Sequence, residues 1–440
     1  MNIITQLIFL ILLSTAGYFI FKSISRIRRN ILLGKPDDRT GNTLTRLKLM
    51  TLIALGQKKM FKKPLPALLH LAVYVGFLIV NIEMLEIVAD GLLGTHRLFA
   101  PSLGVLYPIL INVFEFFAVA VIVACVFFLV RRNLLSIARF KSSELSSIPR
   151  RDANIILVVE IILMCALLTM NSTDLALQKK GIEHYFYTEN FFFSGLIAPF
   201  FETFEPFTLQ IIERLSWWVH IIGVLAFANY VFYDSKHLHI FMAFINAFYS
   251  KLEAAGKLPN MASVTHEVKL MLNLPTDNGE APSELNRFGA KDANDLTWKN
   301  LLDAYSCTEC GRCTEQCPAN ITGKKLSPRK IMMDTRDRIE EIGKNIDKLG
   351  KANEDGKSLL DDYISSEELL ACTTCNACVE ACPINIDPVS IILQLRQYRI
   401  MEASKAPAAW NGMLSNIENN AAPWKFSPSD RTDWVESINK

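Results

Sequence analysis

Charge is scarce in this chain, and a dinucleotide-binding motif is missing from it. Only 20% of the 440 residues are charged and the formal net charge is +2, a balance that argues against nucleic acid as the main partner. No glycine-rich dinucleotide-binding fingerprint occurs in the sequence, so it offers no nucleotide site of that type. Half of the residues are hydrophobic, which excludes a mostly disordered chain.

Charged residues are nearly absent from five long stretches. We predict membrane-spanning helices at residues 3–21, 65–88, 106–130, 153–171 and 213–234, because about 20 apolar residues match the ~30 Å hydrocarbon core. No positive charge precedes the first stretch, whereas Lys22 and Arg26 follow it closely. We therefore interpret it as a retained helix and not as a cleaved signal peptide.

The loops between these stretches differ in positive charge. Lys and Arg number 12 in residues 22–63 and 6 in residues 131–152, whereas residues 83–105 hold one and residues 172–210 hold two. The positive-inside rule places the first two loops in the cytoplasm. We expect a multi-pass protein of the cell (inner) membrane, in contact with lipid, with its N-terminus outside and everything after residue 234 cytoplasmic.

Two identical cysteine runs follow the last apolar stretch. Each is C-x2-C-x2-C-x3-C-P, the run that binds [4Fe–4S] clusters in two-cluster ferredoxins. Disulfides do not suit a reducing cytoplasm, and structural zinc, the alternative, favours separated C-x2-C pairs. In such ferredoxins the fourth cysteine ligates the other cluster. The predicted ligand sets are Cys307, Cys310, Cys313 and Cys382 for one cluster, and Cys372, Cys375, Cys378 and Cys317 for the other.

The predicted fold class is all-α: a five-helix transmembrane bundle followed by a helical ferredoxin domain with two [4Fe–4S] clusters. Apolar residues recur with helical spacing at 327–342 and 358–370, and strand signals are almost absent there. We divide the chain into a membrane domain (1–250), a cytoplasmic linker (251–297), a dicluster domain (298–402) and a C-terminal tail for partner docking (403–440). Residues 251–440 contain 23 Lys and Arg against 28 Asp and Glu, and we interpret this acidic excess as a docking face.

Histidines in and beside the membrane suggest a further cofactor. His70 lies near the cytoplasmic start of the second span and His239 just past the cytoplasmic end of the fifth, so they lie at similar depth, as the paired ligands of a b-type haem do. His237 competes with His239, and hydrogen-bonded packing is the alternative role. His220, near the outer start of the fifth span, is about 28 Å from His239 along a continuous helix, so an outer haem would need another partner.

Two glutamates interrupt the apolar spans. Glu115 and Glu160 are costly in lipid and should face the bundle or an interface. A structural or histidine-paired role is one interpretation, and proton delivery to a quinone is the other.

Residues 64–240 resemble the cytochrome b (gamma) subunit of respiratory nitrate reductase. The matching positions are His70, His220 and the segment from Ser235 to His239. The resemblance implies two haems held by four histidines, but Val80 occupies the position of the fourth. It therefore implies one haem, on His70 and His239, more strongly than two.

The rest of the chain resembles the helical two-cluster subunits of heterodisulfide reductase and glycerol-3-phosphate dehydrogenase. The residues from Phe288 to Cys313 resemble membrane-bound electron-transfer-flavoprotein:menaquinone oxidoreductases, in which a cysteine-rich CCG domain follows the clusters. No Cys-Cys pair occurs here. The resemblance implies menaquinone as substrate, a flavoprotein as electron donor or acceptor, and a CCG-domain partner as a separate subunit.

We therefore expect an oxidoreductase subunit that relays electrons between a cytoplasmic redox partner and the menaquinone pool, with its catalytic residues unidentified. The alternative is a haemless membrane anchor that presents a dicluster ferredoxin domain to a catalytic partner of the heterodisulfide reductase type.

Overall fold

The computed structural model describes residues 3–146, 148–188, 191–258, 260–275, 287–350 and 355–438. Apart from two isolated β-bridges, the regular structure within these ranges is helical, so the predicted all-α class is confirmed. The helices of the first part are α1 (Ile3–Leu32), α2 (Thr43–Met50), α3 (Pro64–Leu93), α4 (Ala100–Leu103), α5 (Leu106–Asn133), α6 (Ile148–Lys179), α7 (Phe192–Phe201), α8 (Pro206–Asp234), α9 (His239–Phe248) and α10 (Ala262–Met271).

The helices of the second part are mostly short. They are α11 (Trp298–Ser306), α12 (Arg312–Glu315), α13 (Pro318–Ile321), α14 (Pro328–Leu349), α15 (Ser366–Leu370), α16 (Ala377–Ala381), α17 (Pro388–Gln397), α18 (Ala408–Asn420) and α19 (Asp433–Ile438). The predicted helix at 327–342 corresponds to α14. The predicted helix at 358–370 is wrong over most of its length, because Asp361 has a positive φ of 75° that breaks it, and only α15 remains.

Among the described residues, five helices are long and apolar enough to cross a membrane, namely α1, α3, α5, α6 and α8. They coincide with the five predicted spans but extend further, since helical turns continue beyond the apolar residues. The helix α8 begins seven residues earlier than predicted, so His220 lies at its middle and not near its outer start. The helix α8 ends at Asp234, the residue predicted for the end of the fifth span, and a turn follows before α9. The helical rise behind the estimate of about 28 Å therefore applies only up to residue 234.

The membrane helices pack closely around α6, which contacts α5, α7 and α8. Gly91 of α3 permits the tightest approach of α1: a Cβ atom there would lie 2.6 Å from the ring of Phe9, which is fully buried. Small residues serve this purpose in membrane helix packing. Apolar side chains such as Ile11 and Phe21 remain exposed on the outer surface of α1, as expected of a face turned to lipid.

The dicluster domain has a core formed by α11, α14 and α17. Ala290, Ala293 and Leu296 are fully buried in this core, so residues predicted to be linker belong to the domain. Their position is fixed by Asp292, whose carboxylate accepts hydrogen bonds from the buried Arg338. The predicted boundary at residue 298 is therefore too late.

The dicluster domain rests directly on the loops at one end of the membrane bundle. Backbone hydrogen bonds join Lys35 N to Leu296 O (2.7 Å) and Trp298 N to Lys35 O (3.0 Å). Ion pairs between the two parts are Arg26–Glu340 (4.0 Å), Arg29–Asp347, Lys63–Glu315 (2.5 Å), Glu144–Arg329 (2.8 Å) and Lys236–Glu309 (2.6 Å). Part of the acidic excess of the second half thus pairs with the basic loops of the first half.

Candidate redox site

Both cysteine runs form the same kind of loop. The backbone is left-handed two and four residues after the first cysteine of each run, at Glu309 and Gly311 and again at Thr374 and Asn376. The chain then enters a short helix, α12 or α16, that carries the third cysteine. These paired left-handed residues curl each run so that its first three cysteines surround one point.

The fourth cysteine of each run leaves this loop. Cys317 and Cys382 have extended backbones with φ of −78° and −72°, because a following proline disfavours the helical conformation. Cys317 lines one small pocket together with Cys372, Cys375 and Cys378. The fourth cysteine of the first run therefore lies with the first three cysteines of the second.

The other predicted ligand set, Cys307, Cys310, Cys313 and Cys382, also lies close together. The pKa of the Cys307 thiol is raised to about 12, mainly by burial and also by the charges of the nearby Glu309, Cys310 and Cys382, while a backbone hydrogen bond from Glu309 acts in the opposite direction. Burial likewise raises the pKa of Cys313, with contributions from Cys307, Cys310 and Cys382. Thiolates bind iron, so four neighbouring thiols, all at least partly buried, fit a positively charged centre that releases their protons.

The spacing of these thiols fits a cluster better than a single ion. In the described part of the chain, no group of three or more His, Cys, Asp or Glu side chains is arranged to hold one metal ion. A tetrahedral zinc site draws its thiolates to about 2.3 Å from one atom. In a [4Fe–4S] cluster each thiolate binds its own iron and the four stay further apart.

Backbone amides support two of the sulfurs. Thr374 N donates to Cys372 Sγ (3.4 Å) and Ile386 N donates to Cys382 Sγ (3.3 Å). Hydrogen bonds to cysteine sulfur are among the features that set the potential of an iron–sulfur cluster. The two sites therefore have preformed ligand loops and also preformed polar surroundings.

His70 and His239 face each other at the end of the bundle that contacts the dicluster domain. Their ring centroids are 6.3 Å apart with an interplanar angle of 41°. A metal–imidazole bond of about 2.0 Å plus about 1 Å to the ring centre places two rings on opposite sides of one iron about 6 Å apart. The observed separation fits that of paired axial ligands.

The outer nitrogens of both rings are held by acceptors. His70 Nδ1 donates to Gln57 Oε1 (3.0 Å), and His239 Nδ1 donates to the carbonyl oxygen of Lys236 (3.1 Å). This leaves each Nε2 unprotonated and available, as in metal-bound histidines whose Nδ1–H is held by a neighbouring oxygen. Burial lowers the pKa of His239, which keeps the ring in the neutral form that binds metal.

The other two candidate histidines have different surroundings. His237 Nε2 lies 4.0 Å from Glu160 Oε1, and its ring packs on Phe227 at 5.6 Å. His220 is 1% exposed and its Nδ1 donates to Leu163 O (2.9 Å). No histidine ring among the described residues contacts His220. Val80, which stands where a fourth ligand is expected, is buried in the bundle core.

Arg312 connects the first cysteine set with the histidine pair. Arg312 lies between Cys310 and Cys313 in the sequence and is 7% exposed. Its positive charge is close enough to interact electrostatically with His70. Its Nη1 approaches Lys59 O and Met60 O at 3.5 Å, in the loop that precedes α3. The eight cysteines and the histidine pair thus meet at the junction between the membrane bundle and the dicluster domain.

Comparisons with known proteins support the iron–sulfur part of this arrangement. A family model described as a 4Fe-4S dicluster domain matches residues 306–386. The probable iron-sulfur-binding oxidoreductase FadF of Bacillus subtilis is 27% identical over 98% of this chain and 61% of its own length. The EtfAB:quinone oxidoreductase of Syntrophomonas wolfei is 25% identical over 98% of this chain and 59% of its own length.

A third relative matches only the part that carries the clusters. This relative, a component of the dihydromethanophenazine:CoB–CoM heterodisulfide reductase of Methanosarcina acetivorans, is 28% identical over 33% of this chain and 36% of its own length. This chain therefore combines a 4Fe-4S dicluster domain with helices long and apolar enough to cross a membrane, and it is similar to proteins named as iron–sulfur and quinone oxidoreductases. It spans about three-fifths of the length of the two long relatives. No solved structure matches it.

Two contributors to the site were missed by the sequence analysis. Gln57 holds His70 from a loop 13 residues away, and no periodicity or motif marks it. The carbonyl of Lys236 holds His239 because the chain turns at Ser235, whose side chain accepts from His237 N. The serine after an apolar helix was a usable signal for that turn.

Proposed function

We propose that this chain relays electrons between a cytoplasmic redox partner and the menaquinone pool, using two [4Fe–4S] clusters and one b-type haem. The observation that supports this function best is the meeting of three ligand sets at one end of the membrane bundle. Cys307 and its set adjoin His70 through Arg312. A chain with only a tethering role would not need paired histidines at that place.

His70 and His239 would hold the haem, which when bound accepts and donates single electrons. The protein fixes both rings through Gln57 and the Lys236 carbonyl, so little reorientation accompanies binding. The buried ion pair of Lys236 with Glu309 (2.6 Å) adds a direct tie between the turn that carries His239 and the loop that carries Cys307. Electron transfer benefits from such fixed distances between centres, which the cofactors themselves cannot supply.

In each proposed cluster, three ligands come from one cysteine run and the fourth comes from the other run, an exchanged pattern of ligands. Cys307, Cys310, Cys313 and Cys382 would hold the cluster on the Arg312 side, and Cys317, Cys372, Cys375 and Cys378 the second. One member of the second set, Cys375, is exposed. An external partner can therefore exchange electrons at the second set, while the first set faces the membrane bundle.

We further propose a flavoprotein as the external partner, reached through a CCG-domain polypeptide. The similarity to an EtfAB:quinone oxidoreductase supports the flavoprotein, and the similarity to a heterodisulfide reductase component supports a cysteine-rich redox partner. Apolar side chains of the tail, among them Trp424 and Trp434, are exposed in the structure, and they suit a docking role. With the dicluster domain in the cytoplasm, the orientation has the N-terminus outside.

An optical spectrum of the purified full-length protein tests the proposal. Dithionite-reduced b-type haem has sharp bands that iron–sulfur clusters lack. We expect these bands in the wild-type protein and in the control His266→Ala, and their loss in His70→Ala and His239→Ala. Iron analysis should give about eight cluster irons in all four proteins, since two [4Fe–4S] clusters hold that number. A wild-type protein with clusters but no haem bands would contradict the relay and favour the haemless anchor.

A further inference from the structure

Glu160 of α6 lies beside the histidine pair without belonging to it. Its Oε1 is 4.0 Å from Nε2 of His237, and the ring of His237 lies 5.5 Å from that of His239. The charge of Glu160 also reaches the thiol of Cys125 on α5. The carboxyl group therefore lies between α5, α6 and the turn that follows α8.

Glu160 is bonded quite differently from Glu115, a glutamate in the neighbouring apolar helix α5. Glu115 is fully buried and accepts hydrogen bonds from Asn171 Nδ2 (3.2 Å), Phe193 N (3.0 Å) and Ser194 N (3.1 Å). Glu160 accepts no hydrogen bond from any residue that the structure describes, and its side chain is 12% exposed. An ionisable group inside a membrane is costly. For Glu115 three hydrogen bonds offset the cost, and for Glu160 none does.

Polar contacts lead from Glu160 toward the dicluster domain. The backbone N–H of His237 donates to Ser235 Oγ (3.2 Å), and the Ser235 hydroxyl donates to Asp152 Oδ1 (2.9 Å). Asp152 is eight residues before Glu160 on α6, which is about 12 Å along the helix. Asn171, a polar side chain nearer the far end of the bundle, donates a hydrogen bond to Glu115 and not to Glu160. The polar groups that approach Glu160 through His237 thus lie on the side of the clusters.

We propose that Glu160 and His237 bind a quinone head group, and that Glu160 supplies a proton to it from the side of the clusters. This inference rests on the proposed function, since the electrons come from the reduced haem and clusters. A quinone ring has two carbonyl oxygens and an apolar body. Here His237 packs on the Phe227 ring and lies 4.0 Å from Glu160, so polar and apolar groups lie side by side. The side chains of Glu160 and His237 keep 12% and 14% of their surface exposed, so a ligand from the membrane can touch both.

Reduction of a quinone to a quinol takes up two electrons and two protons. The neutral imidazole of His237 donates its N–H as a hydrogen bond to one carbonyl oxygen. The carboxylic acid of Glu160 transfers its proton to a quinone oxygen, its own O–H bond breaks as the new one forms, and the carboxylate regains a proton from water on the cluster side. Water supplies the second proton in the same way.

The test follows oxidation of the pre-reduced haem in the full-length protein by a menaquinone with a short isoprenoid tail, using stopped-flow absorbance. Glu160→Gln keeps the shape of the side chain but has no proton to give. We expect at least tenfold slower oxidation with an unchanged haem spectrum, and partial recovery in Glu160→Asp. Ferricyanide takes electrons without protons, so it should oxidise wild type and Glu160→Gln at the same rate.

Glu83→Gln is the matched control. Glu83 is a buried glutamate of α3 (2% exposed) at the opposite end of the bundle, and its substitution should leave the menaquinone rate unchanged. Wild-type rates with menaquinone in Glu160→Gln, or equal slowing in Glu83→Gln, would overturn the quinone site and leave the relay intact. A wild-type haem that menaquinone does not oxidise would instead contradict the proposed function itself.

Discussion

Asn30, near the end of α1, hydrogen-bonds Tyr305 of the dicluster domain: Asn30 Nδ2 donates to Tyr305 Oη at 2.9 Å. Asn30 is fully buried, and Tyr305 also donates to Glu340 Oε1. A membrane helix thus contributes a side chain to the interior of the domain that carries the clusters. The two parts share a buried polar contact, which costs about 1–3 kcal/mol to leave unsatisfied.

Gly343→Ala should loosen this contact. A Cβ atom on Gly343 of α14 would lie 2.4 Å from Asn30 Oδ1, so either the asparagine or α14 must move. We expect destabilisation of about 1–3 kcal/mol, measured as a lower thermal midpoint and faster proteolytic release of the dicluster domain. Gly412→Ala, on α18 with nothing within 4 Å of the added carbon, is the control. Equal stability of the two variants would contradict the shared contact.

Cys317→Ser should impair the cluster of the second run and not that of its own run. Cys317 lines the pocket of Cys372, Cys375 and Cys378, so the exchanged pattern predicts loss or conversion of that cluster. Electron paramagnetic resonance of the reduced protein should show the same missing signal in Cys317→Ser as in Cys375→Ser. Cys165→Ser, in α6, should leave both signals. If Cys317→Ser instead matches Cys310→Ser, the exchange of ligands does not occur.

Substitutions of Gln57 should move the potential of the proposed haem in opposite directions. Gln57 Oε1 accepts from His70 Nδ1, and such a bond raises the basicity of a metal-bound imidazole. Gln57→Leu removes the acceptor and should raise the midpoint potential by roughly tens of millivolts, while Gln57→Glu should lower it. A redox titration followed by haem absorbance measures both. Shifts of the same sign would show that the contact does not tune His70.

Acid should weaken the docking of the dicluster domain through Glu144. Burial alone would raise the pKa of Glu144, but hydrogen bonds and charge from Arg329 hold it below the ordinary 4.5. Because the folded-state pKa is the lower one, the pair stabilises the docked state above about pH 4.5 and loses this contribution as the pH falls through the folded-state pKa. Glu144→Gln should lower stability at pH 7 by about 1–3 kcal/mol and flatten the acid dependence. Thermal midpoints of wild type and Glu144→Gln at neutral and acidic pH provide the comparison. If acid lowers both midpoints equally, Glu144 does not contribute to the acid dependence.

Local patterns account for what could be predicted from the sequence. The apolar runs predicted five membrane helices, and the cysteine spacing predicted two clusters, because both signals are carried by neighbouring residues. The break at Asp361 was missed, since helical spacing continues across it. The support of His70 by Gln57 and the docking contact of Asn30 join residues far apart in sequence, and no single-segment pattern encodes them.

The backbone hydrogen bonds between Lys35 and its two partners, Leu296 and Trp298, have a kinetic consequence. A domain tied to the membrane bundle by its main chain does not swing between an electron donor and the bilayer. In the proposed relay, transfer from the clusters toward the membrane would take place at fixed separation and should not slow when glycerol thickens the solvent. Only the encounter with an external partner then depends on diffusion through the solvent. The dependence of the transfer rate on solvent viscosity therefore reports on that encounter alone.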